Sequence, residues 1–203
     1  MMTGGLLGVI KMVYTCTVVS FYGQSLPMCT VDEIVLPKEF LEHGSQEDYL
    51  LQRLKVTEED IKLVQDNTKG HRENPLWLML RKGRLTASNF RSVLNAKKVS
   101  QSLLKKVLGE CNLSGVQAIN WGINNEAEAI EDFRQVTGLA VEESGLWLEP
   151  SGILDASPDG LIGSDSIIEV KCPYTYRQYT IAEAIQTKHF FLKKTEKSTY
   201  ELK

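Results

Sequence analysis

The feature that most restricts the fold is a change of hydrophobic period part-way along the chain. In the segment Ser102 to Cys111, the residues Leu103, Leu104, Val107, Leu108 and Cys111 recur at helical spacing. A second helix is expected from about Asn124 to Val136, with Ala127, Ile130 and Phe133 as its buried stripe and Gly138 as its C-cap. From residue 146 the period shortens. Leu146 to Leu148, Ile153 to Ala156 and Ile167 to Lys171 read as strands, separated by the turn residues Pro150-Ser151-Gly152 and Gly163-Ser164-Asp165. Gln178 to Leu192 returns to helical spacing. Helices on both sides of a cluster of short strands imply an α/β domain with a small central sheet.

Upstream, Pro37 to Leu54 has helical apolar spacing that Gly44 breaks. Thr57, followed by Glu58, Glu59 and Asp60, marks a capped helix start with Ile61 and Val64 on one face. Asn67 to Pro75 reads as a linker. The expected division is therefore an N-terminal segment, 1–71, partly helical and of no evident role, and a main domain, 72–203. In the latter, Leu76 to Arg81 is expected to be helical and Leu85-Thr86 to open another helix, with Phe90, Val93 and Leu94 on its apolar face. The chain's 203 residues suffice for one sizeable core.

The apolar run Met12 to Val19, within Gly4 to Gly23, is interrupted by Lys11 and too short to span a bilayer. It has neither a basic start nor a small-x-small cleavage site, so secretion is not expected. An intracellular location follows, nuclear or cytoplasmic, with no membrane partner. The cysteines Cys16, Cys29, Cys111 and Cys172 form no C-x-x-C pair and the three histidines lie far apart, which argues against a zinc site or a disulfide framework.

Net charge is only -3, but it is unevenly distributed. Residues 1–70 carry -4, residues 71–120 carry +7, residues 121–171 carry -9 and residues 172–203 carry +3. A basic block suits phosphate contacts and an acidic block suits hard divalent cations. Solvated helix faces that happen to segregate by sign would give the same pattern.

Two short motifs carry chemistry. Glu169 and Lys171 are two apart in an expected strand, so carboxylate and ammonium project from one face. Asp159 lies ten residues earlier, in Ser157-Pro158-Asp159-Gly160, and a hairpin through 163–166 would bring it alongside Glu169. Two carboxylates with retained waters suit Mg2+, which can polarise a phosphoryl oxygen and acidify a bound water while a lysine positions that nucleophile. Taken singly, Pro-Asp-Gly is also an ordinary turn and Glu-Val-Lys an ordinary alternating strand.

In this order and spacing the two motifs resemble the PD-(D/E)xK nuclease signature. Trp77-Leu-Met-Leu-Arg81, Leu85-Thr86-Ala87-Ser88, Trp121-Gly122 with Glu126, Ser157-Pro158-Asp159-Gly160, Glu169-Val170-Lys171-Cys172-Pro173 and Arg177 together resemble the YqaJ-type viral recombinase family, which includes the lambda-type alkaline exonuclease. The resemblance implies a restriction-endonuclease-like core, with a small central mixed sheet flanked by helices. It implies a metal-dependent deoxyribonuclease, a 5′-to-3′ exonuclease acting on double-stranded DNA ends in recombination or repair. Asp159 and Glu169 would be metal ligands for Mg2+, with Mn2+ as a substitute, Lys171 the catalytic lysine and Glu126 a further acid at the metal. Arg81, Ser88, Ser157 and Arg177 would hold the 5′-terminal phosphate. Arg84 is a further candidate for a DNA contact.

Family members continue past the region of Gln178 to Leu192 with another strand and helix, so against them the chain reads as shortened at its C-terminus. Their trimeric ring makes a homo-oligomer the corresponding expectation. Two alternatives stay open: a non-catalytic DNA-end-binding module on the same fold, and a protein-interaction domain that uses the charged blocks.

Overall fold

A computed structural model describes residues 20–21, 24–25, 28–111, 113–196 and 199–202. These fall into two compact units, Met1–Glu110 with Ser144–Ser157 and Cys111–Glu143 with Pro158–Lys203. The candidate targeting run falls mostly outside the described residues. Among the described residues, no helix is long and apolar enough to cross a membrane. Cys29 is disulfide-bonded, which the cysteine spacing did not suggest, whereas Cys111 and Cys172 are free thiols.

The first unit begins with a two-stranded antiparallel pair, β1 (Ser20–Phe21) and β2 (Gln24–Ser25). Seven helices follow: α1 (Val31–Val35), α2 (Lys38–Glu42), α3 (Gln46–Leu54), α4 (Glu58–Asn67), α5 (Pro75–Arg81), α6 (Ala87–Leu94) and α7 (Gln101–Val107). Sequence punctuation sets their limits. The break expected at Gly44 separates α2 from α3. Thr57 and Asp60 form a reciprocal capping box at the start of α4, which satisfies backbone donors that the helix itself cannot. Pro75 occupies the first turn of α5, where its missing N–H costs nothing.

Between α5 and α6 lies β3 (Leu85–Thr86), which pairs in parallel with β5 (Leu154–Ala156); β4 (Trp147–Leu148) pairs antiparallel on the other side of β5. This is a small mixed sheet in the order β3-β5-β4. Leu85-Thr86 is thus a strand and not the helical opening that was expected. Thr86 does cap α6, its hydroxyl accepting from Asn89 N–H at 3.2 Å, but an N-cap residue has extended torsions and is free to pair as a strand.

Val64, Trp77, Leu80, Leu146 and Leu148 form one buried cluster of this unit, and Val31, Ile34 and Leu54 form another. Residues on both sides of position 72 therefore share a core. Gly152, at φ +71°, seats the β4–β5 turn directly on the end of α3. A Cβ there would lie 1.8 Å from the Leu54 carbonyl oxygen. Arg84 is 1% exposed and donates to the backbone carbonyls of Gly152 (2.8 Å), Leu80 and Cys29 (3.5 Å). It ties three segments together, and the reading of Arg84 as a DNA contact is corrected: the side chain is spent on the fold.

The second unit contains α8 (Gln117–Thr137), ended by Gly138 in the left-handed conformation at φ +71° as expected. Its covered stripe is rotated from the one anticipated. Ala127 is exposed, while Trp121, Gly122, Asn125, Glu126, Ala129, Ile130 and Phe133 are half-buried. A hairpin follows, β6 (Gly160–Ile162) with β7 (Ser166–Ile168), and turns through Gly163 at φ +63°. It is a separate two-stranded sheet, so the three expected strands do not form a single sheet. Glu169 to Lys171 extend beyond the end of β7.

The helix expected over Gln178 to Leu192 shrinks to α9 (Ile181–Ala184), followed by the antiparallel pair β8 (Leu192–Lys194) and β9 (Tyr200–Leu202). Thr180 and Glu183 cap its start. Its end tightens into three-residue backbone bonds, Gln186 N–H to Glu183 and Thr187 N–H to Ala184, and the Thr187 hydroxyl also donates to the Ala184 carbonyl at 2.7 Å.

Candidate active site

The hairpin determines where Asp159 lies. Its register pairs Gly160 with Ile168, so one step outward sets Asp159 opposite Glu169. Asp159 Oδ2 accepts the Val170 N–H at 2.6 Å, a charge-assisted bond that fixes the carboxylate and leaves Oδ1 without this partner. Gly160 admits the close packing behind it, since a Cβ there would sit 2.4 Å from a Val141 methyl. Lys171 Nζ is ion-paired with Glu169 Oε1, and both side chains are more than half exposed. Carboxylate, carboxylate and ammonium are thus gathered at the open end of the hairpin.

Glu126 is half-buried on α8. The Cys172 thiol is pushed above its ordinary value by burial first, then by the negative charges of Glu126 and Asp159. Both acids therefore act on one point, though among the described residues no group of three or more His, Cys, Asp or Glu side chains clusters as a metal cage. A cage is not what Mg2+ requires: it is held by one or two carboxylates and keeps its waters. Asp159 and Glu169 supply hard oxygen donors of that kind, so the residues present fit the ion.

Arg177 stacks its guanidinium over the Tyr174 ring at 3.9 Å and donates to the Tyr174 carbonyl at 2.8 Å. It lines a shallow cleft of about 290 Å³ with Trp121, Asn125, Asp132 and Cys172. Trp121 meets Tyr174 edge to face at 6.2 Å, a packing role. A second cavity of about 500 Å³, beside Glu169 and Lys171, has Tyr176, Tyr179, Phe190 and Phe191 in its wall. The sequence had suggested helix there, so these aromatics were not anticipated as neighbours of the hairpin end.

In the first unit, Arg81, at the end of α5, lies over the Trp77 ring at 4.0 Å, and His71 also stacks on that indole at 5.7 Å. Trp77 Nε1–H donates to Ser157 Oγ at 2.7 Å. Ser88 is exposed in the first turn of α6, 2.8 Å from the Thr86 hydroxyl; Thr86 and not Ser88 is the cap. Arg81 Nε faces the fully buried carboxylate of Asp155 at 3.5 Å. Burial pushes the Asp155 carboxyl up to about 6 against the opposing pull of Arg81 and Arg84, and lowers Arg81 and Arg84, the latter to about 10. Asp155 was missed in the sequence. The available signal was its place in the middle of Leu154-Asp155-Ala156, where an alternating strand directs one residue inward.

The family model described as the YqaJ-like viral recombinase domain matches residues 76–195. The chain belongs to this family. Similar to it is the alkaline nuclease of Autographa californica nuclear polyhedrosis virus, 28% identical over 133 residues that make up 61% of this chain and 30% of that protein. The chain thus spans 30% of that viral relative's length. Two solved structures of the alkaline exonuclease LHK-Exo from Laribacter hongkongensis, one in complex with dAMP, are each 33% identical. They cover 50% of this chain and 54% of theirs, at a TM-score of 0.41. The six sequence blocks noted above, from Trp77 to Arg177, all fall within the YqaJ-like match.

Proposed function

We propose that the chain is a metal-dependent DNA nuclease of PD-(D/E)xK type, a 5′-to-3′ exonuclease on duplex ends serving recombination or repair. The observation that carries the reading is the hairpin, which sets Asp159 opposite Glu169 and pairs Lys171 with Glu169, within a YqaJ-family chain. The viral and bacterial relatives, named as an alkaline nuclease and an alkaline exonuclease, support the same reaction class.

Asp159 and Glu169 would hold Mg2+ or Mn2+, with Glu126 as a further acid. When bound there, the ion supplies Lewis-acid polarisation of a phosphoryl oxygen and acidifies a coordinated water. Asp159, anchored by the Val170 N–H, presents its other oxygen in a fixed direction. Lys171 orients the attacking water and offsets the charge that grows on the phosphoryl oxygens, which a preorganised cation does at little reorganisation cost. Arg81, Ser88 and Ser157 bind the 5′-terminal phosphate, and Arg177 is a further phosphate contact. Trp77 N–H occupies an acceptor site of Ser157 Oγ, so the serine O–H remains to donate to an anion. A homo-oligomer belongs to the same proposal.

The test is release of nucleotides from linear duplexes with 5′-phosphate ends, compared with 5′-hydroxyl ends and closed circles, in Mg2+ or EDTA. Release from phosphorylated ends that EDTA abolishes is expected. Equal cutting of circles would replace the exonuclease by an endonuclease. Tight end binding without cleavage would favour a non-catalytic end-binding module, and neither binding nor cleavage would favour a protein-interaction domain.

A further inference from the structure

Asp155 occupies the central residue of β5 with a side chain that is 0% exposed, and among the described residues its carboxylate has only the long 3.5 Å approach of Arg81 Nε and no hydrogen bond of ordinary geometry. Burying a carboxylate costs several kcal/mol unless it is well paired, and an apolar residue would fill the position more cheaply. Packing alone therefore does not account for it. The groups that act on it are two cations. Arg84 is spent on three backbone carbonyls. Arg81 is not: its Nε edge faces Asp155 at 3.5 Å and its Cζ lies over the Trp77 ring at 4.0 Å. Arg81 also keeps 22% of its side chain exposed, and no described residue hydrogen-bonds its Nη1 or Nη2.

We propose that Asp155 is the positioning residue of Arg81, holding the Nε edge while Trp77 holds the face, so that the terminal nitrogens form a fixed fork for a phosphate. The inference rests on the reading of Arg81 as a ligand of the 5′-phosphate. A free arginine loses rotamer entropy when it clamps an anion. One already held on two sides has lost it in advance, and the geometry matches the two parallel N–H bonds that a phosphate accepts. The charge balance also suits the task. Two guanidiniums share one carboxylate, so a positive charge is left over for the ligand, and Arg72 adds its repulsion to Arg81 from nearby. Lysine has no such fork and would not replace Arg81.

Anisotropy with labelled duplexes ending in 5′-phosphate or 5′-hydroxyl, in EDTA, separates binding from cleavage. The wild-type full chain is expected to prefer the phosphate. Asp155→Asn is expected to cut that preference about tenfold, whereas a merely structural role would weaken both duplexes alike and leave the ratio intact. Arg81→Gln should lose the preference, and adding Asp155→Asn to it should change nothing more. Arg81→Lys, which needs no change at Asp155, should lose most of the preference as well. Thermal melts check folding, and Asp155→Ser repeats the comparison if Asn is not tolerated. An unchanged ratio in Asp155→Asn, a further loss on the Arg81→Gln background, or full preference in Arg81→Lys would each overturn the proposal. No phosphate preference in the wild type would remove the Arg81 reading itself, and this inference with it.

Discussion

Asp155→Asn keeps the shape of a buried side chain and removes its charge, and the expected consequence is a protein more stable at neutral pH. The sign follows from the direction of the shift. Burial raises the carboxyl from its ordinary 3.8 to about 6, even with Arg81 and Arg84 opposing. Between those values the folded state holds a proton that the unfolded chain has released. The stability associated with protonated Asp155 is thus fully present below about pH 4 and lost as pH rises through about 6. The interval corresponds to about 3 kcal/mol, at 1.36 kcal/mol per pH unit. Asparagine stands in for the protonated acid at every pH. Urea unfolding followed by tryptophan fluorescence at pH 4, 6 and 8 should show the variant and wild type nearly equal at pH 4. By pH 8 the variant should lead by up to about 3 kcal/mol. Other carboxylates titrate in both proteins and cancel in the difference. A difference independent of pH, or a variant that falls behind as pH rises, would refute the reasoning. A gain in stability together with a loss of end preference would mark Asp155 as kept for function at a cost to the fold.

Other perturbations have equally definite expectations. Arg84→Ala strands three backbone carbonyls and should cost about 3 kcal/mol or more in urea unfolding, since hydrogen bonds to charged donors are strong; it should leave the preference between phosphate and hydroxyl ends unchanged. Leu146→Ala, at 0% exposure among Val64, Trp77, Leu80 and Leu148, should lower stability by about 2–5 kcal/mol in the same measurement. Gly152→Ala introduces a Cβ 1.8 Å from the Leu54 carbonyl oxygen at a positive φ, and a sharply lower melting temperature or insoluble expression is expected.

The sequence was most legible where one local rule acts alone. Thr57 with Asp60, Gly44 and Gly138 marked helix starts, breaks and ends, because capping and left-handed turns depend on the residue and its immediate neighbours. The hairpin through 163–166 was readable for the same reason. It failed where two roles share a residue or where partners are remote. Thr86 is strand and cap at once, so its cap signal hid the strand. Glu169 and Lys171 continue the extended chain without a ladder partner, so the strand appeared longer than it is. Arg84 and Arg81 are three apart in a basic block and look alike in sequence. Only the carbonyls of Gly152, Leu80 and Cys29 distinguish a structural cation from one with an open fork. Strand alternation could have marked Asp155 as inward-facing, but not its partner, since Arg81 lies 74 positions away along the chain.

The nuclease reading stands or falls on the hairpin end. Initial rates of nucleotide release from 5′-phosphorylated linear duplex in Mg2+ should be measured for the wild-type protein, Lys171→Ala and Asp159→Ala, with thermal melts showing all three folded. Both variants are expected to fall by at least about a hundredfold, the scale on which positioned catalytic groups act. Both side chains sit at an exposed or half-exposed hairpin end, so the melts should scarcely move. A wild-type protein that cleaves DNA, beside folded variants that cleave it within twofold of the same rate, would contradict the assignment of this site.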